Sequence, residues 1–175
     1  MRALSSLILI VAFAALIAVC AQVSVPMVPV PMTLQTFAVL LAGAVLGPWR
    51  GGAAVVLYLA LAALGLPVLA EGASGLEPFA GATAGYLFAF PVAAVVVGAL
   101  SERPAFRRPV AGFLLMLAAH ALILALGGGW LAMRIGVADA LEYGVTPFLI
   151  GAVVKSAMAV AAAWGLRRLP VFRPA

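Results

Sequence analysis

Lys155 is the side chain whose type and setting most directly suggest chemistry. It lies inside an otherwise uncharged apolar run, residues 147–166. A charge at the centre of a bilayer costs on the order of 2.5–3.5 kcal/mol, so it usually faces a cavity or a partner. The alternative is a snorkelling lysine, whose ammonium reaches the membrane interface along its own stem. Because Lys155 comes eight residues after Pro147, it lies roughly 12 Å into the core, and the sequence predicts a cavity-facing cation.

Four other polar residues are predicted to form a binding site with Lys155. Thr33 and Gln35 follow a proline-rich stretch, and Thr83 and Tyr86 begin a later apolar segment. A small-molecule site is usually an apolar, aromatic-lined concavity with a few directed polar groups. Taken singly, each Thr or Gln is more often a helix cap or an interhelical hydrogen bond. The expected aromatic wall consists of Phe79, Phe88, Trp130 and Phe148.

The residues that most enzymes need are missing from the pattern. His120 is the single histidine, which excludes a zinc site built from histidine pairs and favours a packing role in its helix. The apolar segments contain no paired carboxylates, and the sequence has no phosphate-cradling glycine motif. Cys20, the single cysteine, excludes an internal disulfide and is expected to be buried and inert. We therefore expect no enzyme activity, no metal and no cofactor.

Composition indicates a polytopic membrane protein. Of 175 residues, 67% are hydrophobic and 9% charged, against about 25% charged in soluble domains. The net charge of +5 comes from scattered basic residues, which argues against nucleic-acid binding. The first apolar run, residues 4–23, is long enough to span a bilayer, so we expect a retained helix rather than a cleaved signal. The whole chain, residues 1–175, is predicted to be one membrane domain.

An all-α fold with six transmembrane helices is predicted. The second and third segments are short for a span of about 20 residues. Residues 25–31 are rich in proline and are predicted to enter the membrane as irregular structure, which a cavity would have to accommodate. The six segments are residues 4–23, 34–46, 51–64, 83–100, 110–126 and 147–166.

Orientation is predicted from the basic residues. With both termini cytoplasmic, eight of the ten Lys and Arg residues lie on the inner side or at the inner termini, and Arg134 alone lies on the outer side. The outer connections, residues 65–82 and 127–146, are long, and we expect the ligand to enter there. The second of these opens with three glycines and is predicted to carry a short interfacial helix, residues 130–134. The eight inner basic residues are Arg2, Arg50, Arg103, Arg107, Arg108, Arg167, Arg168 and Arg173.

Ala14 and Ala18 form a small-residue pair on one face of the first helix. Such spacing lets helix backbones approach closely. The pair is predicted to dock another subunit, although internal packing is an equal alternative, and a homo-oligomer also stays open.

Four motifs resemble the BioY family. The most specific is VPVPMTLQTFAVLLAG, residues 28–43. It is followed by LGLPV at 64–68, GATAGYL at 81–87 and GVTPF at 144–148, the last leading to Lys155. The similarity covers nearly the whole chain. BioY proteins are the biotin-binding S-components of energy-coupling-factor (ECF) transporters.

The resemblance implies a six-helix protein of a bacterial or archaeal cytoplasmic membrane that captures biotin from outside. It also implies a transmembrane coupling subunit and a pair of ABC-type ATPases as partners, and it adds Gly85 to the expected binding residues. Two positions depart from the family pattern. Ala82 replaces a usual proline, and Ala152 replaces an acidic residue three positions before the lysine. Either the biotin carboxylate or its ureido carbonyl is therefore a possible partner of Lys155.

Three other functions remain as alternatives. The first is an S-component for another vitamin such as thiamine. The second is a membrane enzyme that uses Lys155 as nucleophile or base, and the third is a purely structural subunit. Competition binding distinguishes the first alternative and turnover the second. The third predicts that Lys155→Ala changes assembly or stability without changing ligand affinity.

Overall fold

The computed structural model describes residues 2–169, except for the side chains of Arg2, Ala3 and Arg107. Arg173 of the predicted inner set lies outside the described residues. Long apolar segments form helices because a helix satisfies its own backbone hydrogen bonds where no water is available. Seven α-helices are described: α1 (Arg2–Gln22), α2 (Gln35–Ala63), α3 (Glu77–Ala80), α4 (Ala84–Ser101), α5 (Pro109–Ile135), α6 (Val137–Gly144) and α7 (Phe148–Leu166).

Helix α2 is broken at Gly47 and folds back on itself. Gly47 has φ 80°, outside the helical region, and Pro48 follows it, a residue that lacks a backbone N–H. Gln35 and Tyr58 are 23 residues apart yet hydrogen-bonded at 2.8 Å, whereas a straight helix would separate them by about 34 Å. The predicted second and third segments are therefore the two halves of one helical hairpin.

Five helices of the described chain are long and apolar enough to cross a membrane: α1, α2, α4, α5 and α7. The sequence predicted six spans. The difference lies in α2, which covers both the second and the third predicted segments and is interrupted at Gly47, so that its two halves run in opposite directions.

The proline-rich stretch forms a short β-hairpin rather than wholly irregular chain. Strand β1 (Ser24–Val25) pairs antiparallel with β2 (Met32–Thr33), and residues 26–31 connect them. The Leu34 amide also donates to the Val23 carbonyl at 2.9 Å. The hairpin therefore gives this stretch backbone hydrogen bonds that it could not form as a helix, because proline lacks a backbone N–H.

Helix α5 is longer than predicted. Gly127, Gly128 and Gly129 lie inside it, and the short helix that follows is α6, after Gly136. The expected loop at 127–129 and the separate interfacial helix at 130–134 were wrong, because Gly127 and Gly128 lie within the helix where they allow close packing against other segments. A Cβ on Gly127 would lie 2.1 Å from the Tyr86 ring, so only glycine fits at this helix contact.

Helix α1 packs its small residues against the rest of the chain. Ala14 is 3% exposed and Ala18 is half-buried, and α1 contacts α2. Ala14 therefore takes part in internal packing in this chain. Next to Ala14 and Ala18, α1 exposes large apolar side chains, including Leu4, Leu7, Ile8 and Val11.

Candidate functional site

A cavity lies where the proline-rich hairpin, the loop 65–82 and the N-terminal ends of α4 and α7 meet. We call it the Lys155 cavity. Of the six predicted ligand-binding residues, five line it: Thr33, Gln35, Thr83, Tyr86 and Lys155. Of the predicted aromatic wall, Phe148 lines it and is joined by Phe90, whereas Phe79, Phe88 and Trp130 lie elsewhere.

Lys155 is buried at 7% exposure, and its Nζ donates to the Thr33 carbonyl at 3.0 Å. An ammonium carries three N–H donors, so this bond leaves capacity for a ligand. Ala152, one helical turn earlier, lines the same cavity. Within residues 2–169, no Asp or Glu is among the lining residues. The cavity therefore holds a buried cation without a carboxylate in its wall, an arrangement that attracts an anionic or strongly accepting group.

His120 also lines the Lys155 cavity, where the sequence favoured a packing role. Its Nε2 lies 3.1 Å from Thr36 Oγ1, and its Nδ1 lies 3.0 Å from Ser156 Oγ and 3.1 Å from the Met116 carbonyl. The ring is therefore held by α2, α5 and α7 at once, beside the lysine. Its isolation as a single histidine in an apolar helix was the signal that could have identified it.

Gln35 supports the wall of the cavity through Tyr58. The Gln35 Nε2 donates to the Tyr58 hydroxyl, which in turn donates to the Val68 carbonyl at 3.2 Å. Gln22, in the last turn of α1, donates to the carbonyls of Val68 and Leu69 at 3.2 and 2.9 Å. Leu69 is 3% exposed and lines the cavity. The first part of loop 65–82 is thus anchored to α1 and α2.

The other part of the loop is anchored to α5. Trp130 Nε1 donates to the Gly81 carbonyl at 2.9 Å, and Arg134 donates to the Ala80 carbonyl. Trp130, expected in the aromatic wall, therefore positions the loop instead.

Tyr86 connects α4 to the segment before α7. Its hydroxyl donates to the Gly144 carbonyl at 2.6 Å, and its ring stacks on Phe148 with centroids 6.3 Å apart. Thr83 Oγ1 donates to the Pro78 carbonyl at 3.0 Å, so it also positions the loop. Gly85 does not line the cavity: a Cβ there would lie 2.3 Å from the Trp130 Cβ, so its place is a close contact between α4 and α5.

The fold and the site together define an integral membrane protein with an apolar small-molecule cavity near one end of its helices. The fold is that of S-components. The structure is similar to the crystal structure at 2.1 Å of the S-component for biotin from an ECF-type ABC transporter, with a TM-score of 0.88 over 98% of this chain and 95% of that chain. The two sequences are 24% identical.

Sequence comparison identifies the family. The BioY family model matches residues 1–170, and the chain belongs to this family. A probable biotin transporter BioY of Pyrococcus horikoshii is 41% identical over 152 residues, 87% of this chain and 90% of the relative. The biotin transporter BioY of Thermotoga maritima is 39% identical over 163 residues, 92% of this chain and 95% of the relative.

Proposed function

We propose that this chain is the biotin-binding S-component of an ECF-type transporter and takes up biotin through the Lys155 cavity. Membership of the BioY family and relatives named as biotin transporters support this function. The observation that carries the site is the buried Lys155 in a cavity otherwise lined mainly by apolar and aromatic side chains. The chain is proposed to act as a binding protein and not as an enzyme.

The chemistry of biotin fits this cavity. Its fused ring system and aliphatic chain are apolar enough to pack against Phe90, Phe148 and Tyr86. Its carboxylate and its ureido carbonyl are both hydrogen-bond acceptors that an ammonium can bind, and a charge-assisted bond is the stronger kind. Both orientations remain in the proposal, with Lys155 as the ligand-binding cation in each.

The proposal includes partners and a location. A transmembrane coupling subunit and a pair of ABC-type ATPases would drive release, since the sequence carries no phosphate-cradling glycine motif of its own. The protein is placed in a bacterial or archaeal cytoplasmic membrane with both termini inside and the Lys155 cavity opening outward. The two halves of α2 count as separate crossings in this arrangement, which makes six. Ala18 and the neighbouring exposed face of α1 are proposed to dock the coupling subunit.

Titration calorimetry of biotin with the purified protein in detergent tests the function, comparing wild type with Lys155→Met. Methionine keeps much of the side-chain volume and removes the charge. Removing one member of a buried charged contact costs about 2 kcal/mol or more, so we expect affinity to fall at least about thirtyfold. Arg103→Gln is the control, because Arg103 is an exposed cation that lines neither cavity and anchors no part of loop 65–82.

The possible outcomes test the proposed substrate and the proposed binding site separately. Tight binding that Lys155→Met leaves unchanged would keep the biotin function and move the site. A folded wild type that binds thiamine and not biotin would replace the proposed substrate. Turnover of a lipid substrate would indicate the membrane-enzyme alternative.

A further inference from the structure

A second cavity lies at the opposite end of the helices. It is enclosed by the turn of α2, the end of α4, the start of α5 and the end of α7, and its volume is about 330 Å³. Helix α7 runs between the two cavities, with Lys155 lining the first and Arg167 the second. We call the second the arginine cavity.

The lining of the arginine cavity is divided into apolar and basic parts. Four arginines line it, and Glu102 is the one acidic residue of the described chain that does so. The apolar part comes from α2, α5 and α7, and the arginines come from the turn of α2, the residue before α5 and the residues after α7. The arginines are Arg50, Arg108, Arg167 and Arg168, and the apolar residues include Ala44, Val45, Leu46, Leu115, Met116, Val160 and Ala163.

Two of the arginines are fixed in the cavity wall. Arg167 donates through Nε to the Ala44 carbonyl at 3.1 Å and through Nη1 to the Ser101 carbonyl at 3.3 Å. The Arg168 guanidinium lies 4.4 Å from the centroid of the Trp164 ring. The Arg167 contacts tie the end of α7 to α2 and α4, and both guanidinium groups are held beside the cavity.

Like Arg168, the other two arginines are exposed, and they lie at the edge of the cavity. Arg50 donates to the Leu46 carbonyl of its own helix at 3.1 Å. Arg108 is exposed and directly precedes α5. Both guanidinium groups can therefore turn towards an anion that approaches from the membrane surface.

We propose that the arginine cavity binds an anionic phospholipid, with its phosphate at the arginines and one acyl chain along the apolar part. Charge complementarity supports this occupant, because four cations and one carboxylate leave an excess of positive charge. Guanidinium groups bind phosphate oxygens bidentately, and basic pockets between transmembrane helices are suited to anionic headgroups. The surrounding bilayer supplies such an amphiphile directly. This inference does not depend on the ligand of the Lys155 cavity.

Trp164 lines the arginine cavity and provides the readout. The chain has three tryptophans, so Trp49→Phe with Trp130→Phe leaves Trp164 as the single fluorophore. The protein is placed in phosphatidylcholine nanodiscs that contain increasing fractions of brominated phosphatidylglycerol or, separately, brominated phosphatidylcholine. Bromine quenches tryptophan on contact. Because Trp164 is 55% exposed and also meets bulk lipid, the difference between the half-quenching fractions of the two lipids reports which one the cavity prefers.

We expect phosphatidylglycerol to reach half-quenching at a mole fraction at least about fivefold lower than phosphatidylcholine, the scale of one arginine near an anionic surface. Arg50→Gln with Arg108→Gln should remove this preference, and the Lys versions of both should keep part of it. Arg103→Gln is the control, because Arg103 is exposed and does not line the cavity.

Equal quenching by the two lipids in the wild type would overturn the proposal and leave an acidic segment of a partner protein as the alternative occupant. A preference that survives the double Gln variant would also overturn it. An unchanged size-exclusion profile establishes that each variant is folded before its quenching is compared.

Discussion

The two cavities of this molecule differ in the number of their cations and in how far those cations are exposed. The Lys155 cavity holds one buried cation, whose ammonium is fixed by the Thr33 carbonyl, and its other polar side chains are largely hydrogen-bonded to neighbouring elements. The arginine cavity gathers four cations, three of them exposed. Burying a single charge costs free energy, so such a cation favours a ligand that can pair with it. Several charges at a membrane interface instead attract anions in general.

The contrast also appears in packing. Around the Lys155 cavity, glycines bring helices into contact and set the position of Tyr86, as Gly127 does. Selectivity for one small ligand requires such fixed walls, because a displacement of the binding groups weakens every contact they make. Glycines also pack closely near the arginine cavity, as Gly98 does against Pro48, but the exposed side chains of Arg50 and Arg108 at its edge can adapt to a lipid.

The largest expected effect is at Gly127, which tests whether the walls of the Lys155 cavity are as tightly packed as described. Gly127→Ala forces a Cβ to within 2.1 Å of the Tyr86 ring, so we expect a loss of about 1–3 kcal/mol in stability and weaker biotin binding. Gly129→Ala, in the same helix with no atom within 4 Å, should instead stabilise by about 0.5–1 kcal/mol. Thermal unfolding in detergent measures both, and equal effects would contradict the packing argument.

Tyr86→Phe tests whether hydrogen bonding positions the wall. It removes the donor to the buried Gly144 carbonyl, at an expected cost of about 1–3 kcal/mol. Tyr143→Phe, a partly exposed tyrosine on α6, should change stability by no more than about 0.5 kcal/mol. The measurement is the shift in apparent melting temperature. A neutral Tyr86→Phe would mean that stacking on Phe148 holds the ring by itself.

Ala152→Asp gives the buried cation the carboxylate that the cavity wall lacks. A hydrogen bond between charged groups contributes about 1.5–3 kcal/mol, and desolvation of the new carboxylate reduces this gain, so we expect a net stabilisation of about 1 kcal/mol without ligand. Ala152→Asn should not reproduce it.

Calorimetry on the Ala152→Asp variant also determines which group of biotin binds Lys155. A large loss of biotin affinity would place the biotin carboxylate at Lys155, because the introduced carboxylate would compete with it. Retained affinity would place the ureido group there. An unstabilised variant would mean that Lys155 is already well satisfied.

The smallest effect is expected at the other end of the molecule. Arg50→Gln and Arg108→Gln lie at the arginine cavity, and distant sites usually interact by no more than about 0.5 kcal/mol, so biotin affinity should stay within about twofold of wild type. Calorimetry under the conditions used for wild type measures this. A large change would show that the two cavities are coupled along the helices that they share.

The sequence predicted much of this arrangement because its strongest signals are local. Lys155 in an apolar run, the polar residues after the proline-rich stretch and the length of the apolar segments can all be read without a structure. The apolar segments predicted at 83–100 and 147–166 also located α4 and α7 to within one residue.

What the sequence missed depends on contacts between distant elements. Gly127 to Gly129 suggested a loop, because a glycine run gives no sign that an aromatic ring from another helix lies against it. Gly85 and Trp130 were assigned to the binding site, although they contact each other across α4 and α5. His120 is held in the wall of the Lys155 cavity by hydrogen bonds to Thr36 and Ser156, and the sequence had assigned no role to either residue.

Loop 65–82 is anchored near both ends, at Val68 and Leu69 on one side and at Ala80 and Gly81 on the other. Between these anchors the loop is held by two further hydrogen bonds, from the Gly75 amide to the Ala62 carbonyl at 2.8 Å and from Thr83 to the Pro78 carbonyl at 3.0 Å. A ligand beneath the loop can leave once such local contacts break, without separation of the transmembrane helices. The residence time of the ligand is then set by a few local contacts. Gln22 at the end of α1 is one of them, so a partner that tilts α1 can shorten this residence time without entering the cavity.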